Sequence, residues 1–115
     1  MAEGYISVPN KESVNVTSTS TYVKSITALN VDNVLYLYVC LYNTVPADQF
    51  VSVQMNLPNN GKSLHIATPA SIQISSSTDI GKTVSATIAE SGNISIRLGS
   101  AFTNDFYLYF VCPYY

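Results

Sequence analysis

Hydrophobic and polar residues alternate along much of this chain. In residues 51–57, Val51, Val53, Met55 and Leu57 fall on one side and Ser52, Gln54 and Asn56 on the other, the two-residue period of a half-buried strand. Residues 94–98 repeat the pattern, with Ser95 and Arg97 set between Ile94, Ile96 and Leu98, and Ile72-Gln73-Ile74 is a shorter copy. Two further runs are apolar on both faces. Residues 35–42 set Leu35, Leu37, Val39 and Leu41 against Tyr36, Tyr38, Cys40 and Tyr42, and residues 106–112 set Phe106, Leu108, Phe110 and Cys112 against Tyr107, Tyr109 and Val111. A strand with one aliphatic and one tyrosine face is usually covered on both sides, by a second sheet, another subunit or a ligand.

Turn-forming residues separate these runs: Val45-Pro46-Ala47-Asp48, Pro58-Asn59-Asn60-Gly61, Thr68-Pro69, residues 75–79, Ser91-Gly92-Asn93 and Gly99-Ser100. Their spacing is that of an antiparallel sandwich or barrel, and Ser91-Gly92-Asn93 reads as a tight hairpin between residues 84–89 and 94–98. Ile80, Val84 and Ile88 recur at helical spacing, but β-branched residues and Gly81 favour a strand there. Residues 5–30, rich in Val, Thr and Ser, hold two or three short strand candidates, including 22–29, with a loop at 17–21. The expected fold is all-β: one domain over residues 1–115, a single antiparallel β-sandwich or barrel, jelly-roll-like.

At 115 residues the chain is long enough to bury a core without staples. Seven acids and five bases, scattered singly, form no basic stripe, so nucleic acid is not an expected partner. The longest apolar run, 34–42, is too short to span a bilayer, and residues 1–9 lack the charge and apolar core of a signal peptide. No membrane partner is expected. Cys40 and Cys112 read as small buried thiols, with a disulfide left open, and they lack metal or redox spacing.

Chemistry has little to work with. The one histidine shares an extended segment with Ser63, but nothing around Ser63 resembles a nucleophile elbow. The acids Glu3, Glu12, Asp32, Asp48, Asp79, Glu90 and Asp105 stand alone, and no metal-binding loop is present. Neither catalysis nor a cofactor or metal is expected. Nine tyrosines and no tryptophan are more informative, because a flat ring with a hydroxyl suits both sugar stacking and semi-polar subunit contacts.

Residues 32–39 (DNVLYLYV), the hairpin 86–96 (ATIAESGNISI) and the closing run 106–111 (FYLYFV) together resemble the C-terminal head domains of bacteriophage receptor-binding proteins and tail fibres, especially those of siphophages. Residues 58–72 depart from that pattern. The resemblance implies a compact β-sandwich or barrel in the virion, at a tail tip or fibre. It also implies assembly as a homotrimer, contact with other virion proteins, and recognition of a bacterial surface saccharide at subunit clefts or exposed loops. Tyr36, Tyr38, Tyr107 and Tyr109 are then expected at a subunit contact. Asp48, His65, Asp79, Arg97 and Asp105, near loops or strand ends, are nominated to hydrogen-bond a sugar or phosphosugar. A monomeric carbohydrate-binding or adhesin-like β-sandwich and a purely structural virion protein are the competing expectations.

Overall fold

A computed structural model describes residues 11–65 and 71–115. The strand candidates ahead of Lys11 and the turn at Thr68-Pro69 lie outside the described residues. The described residues form β1 (Lys11–Thr17), β2 (Val23–Val31), β3 (Val34–Leu41), β4 (Phe50–Asn56), β5 (Ser71–Ile74), β6 (Val84–Ile88), β7 (Asn93–Leu98) and β8 (Phe106–Pro113), with a 3-10 turn at Ser77–Asp79. All pairings are antiparallel, in the order β5-β8-β3-β2-β1-β4-β7-β6. Of the two expected arrangements this is the barrel-like one, a single sheet that curls until it is nearly closed. No described helix is long and apolar enough to cross a membrane.

β1 is the seam. Its first residues, Lys11 to Val14, pair with β2, and its last, Asn15 to Thr17, pair with β4. One strand therefore serves two half-sheets, β5-β8-β3-β2 on one side and β4-β7-β6 on the other. Alternation then decides what each half buries. Leu35, Leu37, Val39 and Leu41 of β3 and Phe106, Leu108 and Phe110 of β8 meet Val51, Val53 and Met55 of β4 and Ile94, Ile96 and Leu98 of β7 in one core. Each such side chain, withdrawn fully from water, contributes about 1.5–3 kcal/mol.

The turns follow local chemistry. The sequence pattern places Asp32 and Asn33 at the opening of a strand, but they form the two-residue link between β2 and β3, with Val31 opposite Val34. Both have positive φ, 49° and 67°, which matches the twist of a tight hairpin and which Asp and Asn tolerate better than most residues. The hairpin at Ser91-Gly92-Asn93 joins β6 to β7 as expected. Helical spacing at Ile80, Val84 and Ile88 is overridden: Val84 and Ile88 share an inward face of β6, while Ile80 lies exposed in the preceding loop.

Register also settles the cysteines. Cys40 faces outward opposite Tyr107, and Cys112 faces inward opposite Leu35. Both are buried and free, because five strand positions and opposite faces separate them, about 17 Å along the strand.

Candidate functional site

The seam in β1 creates a cleft. Where β1 leaves β2 after Val14 and joins β4 at Asn15, the two half-sheets part, and the residues after β4 close over the gap. That segment is fastened to the end of the chain: the Ser63 N–H donates to the Tyr115 carbonyl, the His65 N–H donates to the Pro113 carbonyl, and Leu64 bridges Tyr114. Between them lies a cleft of about 290 Å³, close to the lower end of the size range of small-molecule sites.

Its floor is Asn30. Alternation places Asn30 on the inner face of β2, between Glu12 of β1 and Leu35 of β3, where an aliphatic residue would extend the core. The residue is only 8% exposed, and its Oδ1 is buried with no hydrogen-bond partner. An unpaired buried amide costs about 1–3 kcal/mol, so its presence at this position calls for a use. Tyr114 forms a wall, its ring buried and its hydroxyl donating to Asn60 Oδ1 at 3.2 Å. Asn60 Oδ1 also accepts from the Lys62 N–H at 3.1 Å, and Lys62 Nζ donates to Asn33 Oδ1 at 2.9 Å while lying 5.8 Å from the Tyr114 ring centre. The loop 58–62 is thus held against the β2–β3 turn by its own amide and ammonium groups. Glu12, Asn15 and Asn56 line the rim and make no side-chain hydrogen bond to a described residue.

The residues nominated from sequence fall elsewhere and do not converge. Asp48 and Arg97 form an ion pair at 2.8 Å beside Phe50, whose ring is 62% exposed and 5.6 Å from the guanidinium carbon. Phe50 and Arg97 are cross-strand partners on an outer face that also carries Ser52, Gln54, Ser85, Thr87, Asn93 and Ser95. His65 stacks on Tyr115 with ring centres 3.8 Å apart, and its Nε2 donates to the Tyr115 carbonyl at 3.1 Å. No hydrogen bond joins Ser63 to His65.

Asp79 and Asp105 both anchor the loop ahead of β8. Asp79 is 1% exposed. It accepts from Lys82 Nζ at 2.8 Å, from the Thr103 N–H and hydroxyl, and from the Asn104 N–H. Burial alone would raise its pKa, but these donors outweigh it and hold the carboxyl at about 2. Its oxygens are thus occupied from within the fold. Asp105 pairs with Lys24 at 3.0 Å and accepts the Asn43 N–H, and the Lys24 contact chiefly, then Asn43, holds its carboxyl below the usual carboxylate range.

The tyrosines form one outward strip. Tyr38 and Tyr109 are directly opposed across β3 and β8, with ring centres 4.7 Å apart, and Tyr38 also stacks with Tyr107 at 5.4 Å. Tyr36 and Tyr109 are 47% and 44% exposed. Among the described residues, nothing covers the second face of these strands completely.

Among the described residues, no group of three or more His, Cys, Asp or Glu side chains is placed to hold a metal ion. Comparisons with known protein families, with curated proteins and with solved structures find no match to this chain. Sequence reasoning missed the cleft because its members lie far apart along the chain, from Glu12 to Tyr114. One signal was present: Asn30 interrupts the alternating Ile26, Ala28 pattern of inward apolar positions on β2.

Proposed function

We propose that this protein is a non-catalytic binding module for a saccharide, with the sugar seated in the cleft at the β1 seam. The observation that carries this reading is Asn30, a buried carboxamide without a partner at the floor of a cleft rimmed by further amides. Such a site offers donors and acceptors of both kinds against an aromatic wall, and Glu12 and Lys62 roughly balance in charge. A polyhydroxylated, weakly charged ligand needs this combination. The small cleft suits weak binding per site, strengthened by several copies acting together.

The setting proposed is the host-recognition head of a phage tail fibre or baseplate. Its support is the strand and hairpin pattern that resembles such heads. In that setting the chain is a homotrimer, and the strip of Tyr36, Tyr38, Tyr107 and Tyr109 is the subunit contact, since it is uncharged, aromatic and half-exposed. Phe50 with Arg97 supports a second reading, a sugar platform on the outer face of β4 and β7 of a monomer.

Titration of isotope-labelled protein with fragments of bacterial surface polysaccharide, followed by NMR, separates these. We expect shifts at the side-chain amides of Asn30, Asn56 and Asn60. Shifts confined to Phe50 and Arg97 would favour the platform reading, and no shift up to roughly 10 mM sugar, far above a weak millimolar affinity, would remove saccharide binding altogether.

A further inference from the structure

We infer that the ligand of this cleft carries an acetamido group, as N-acetylated hexosamines do; the inference rests on the saccharide reading above and narrows it to a class of sugar. A carboxamide is best matched by another amide, because each supplies one N–H donor and one C=O acceptor in a plane, and two such groups satisfy each other reciprocally. Asn30 presents both functions with neither committed to the protein, and Asn15 and Asn56 face each other across β1 and β4 with their amides also uncommitted. The lining beside these amides is Val14, Pro58 and the Tyr114 ring, apolar surface of the kind that receives a methyl group.

The charges point the same way. Lys62, the cation in the lining, already donates to Asn33 Oδ1, whereas the Glu12 carboxylate makes no bond to a described residue. A phosphorylated or carboxylated sugar would meet the Glu12 carboxylate in the lining while the Lys62 ammonium is directed toward Asn33, which disfavours it. The charges therefore disfavour an anionic ligand, and the amides favour one in which an amide replaces a hydroxyl.

Acetamide chemistry is shared by N-acetyl sugars and by peptide bonds, so the test compares four probes by NMR titration: N-acetylglucosamine, glucosamine, glucose and N-acetylalanine methylamide. We expect N-acetylglucosamine to bind about ten-fold more tightly than glucose or glucosamine, the value of one well-made amide pairing. Asn30→Leu should abolish that preference, and Asn56→Ala, on an exposed rim position, should weaken it without disturbing the fold. Equal binding of glucose and N-acetylglucosamine at the cleft would overturn the acetamido assignment and leave the saccharide reading standing. Tightest binding by glucosamine would also overturn it, in favour of an amino sugar held by Glu12. Binding of the peptide mimic alone would overturn both the sugar class and the saccharide reading. A shift at the cleft from none of the four would count against both.

Discussion

Two polar side chains are buried among the described residues, Asn30 and Asp79, and their surroundings assign them opposite roles. Asp79 has every oxygen engaged, by Lys82 and by the loop before β8, and reads as a structural pin. Its depressed carboxyl stabilises the fold at pH values above the ordinary aspartate range near 4, and that stability is lost as pH falls toward about 2. Asp105, also depressed, acts in the same direction. Asp79→Asn is expected to lower the melting temperature by roughly 5–10 °C at neutral pH and to flatten the acid limb of stability, which thermal melts from pH 7 to pH 2 would measure. An unchanged melting temperature would show that the pin carries no load. Asn30 lacks any such partner. The break that Asn30 makes in the inward apolar positions of β2 was visible in the sequence, but neither residue type shows what approaches it, Thr103 and Asn104 some 25 positions from Asp79 and Tyr114 some 84 positions from Asn30.

Among the elements, the hairpins show how much local chemistry decides. Gly92 has φ of 90°, and a Cβ there would sit 2.5 Å from the Met55 carbonyl oxygen, a backbone atom with no freedom to give way. Gly92→Ala is therefore expected to cost more than about 1 kcal/mol, read as a lower denaturant midpoint, while Gly61→Ala, with open space around it, should cost only what its positive φ imposes. Equal losses at the two sites would argue against the close β4 contact. The strands from Phe50 to Pro113 were legible because a period of two and nearby Gly-Asn or Pro turns agree. The Asp32-Asn33 turn was obscured by the apolar run that follows it, although both residue types favour the positive φ it needs. The helical spacing at residues 80–88 lost to β-branched packing, as Val84, Ala86 and Ile88 each found an inward position against β7.

For the molecule as a whole, β1 joins the two half-sheets into one nearly closed, barrel-like sheet and leaves the cleft where it changes partner. All-β architecture and the aliphatic core follow from alternation; the change of partner does not, because nothing in Lys11–Thr17 marks the point between Val14 and Asn15. The departure of residues 58–72 from the resembling pattern includes the loop 58–62 that lines this cleft. The tyrosine strip bears on assembly: light scattering after gel filtration is expected to give three times 12.5 kDa, and Tyr109→Lys, at a half-exposed position, is expected to give monomers with an intact fold. A monomeric parent protein would remove the trimer and leave the cleft to act alone. The central claim is that Asn30 is kept for a ligand at the expense of stability, and Asn30→Leu tests it most directly, with melting and saccharide binding measured on the same sample. We expect stability to be unchanged or raised by as much as about 1–3 kcal/mol, the desolvation cost of the lost amide, together with loss of sugar binding. A marked fall in stability, or sugar binding that persists undiminished, would contradict it.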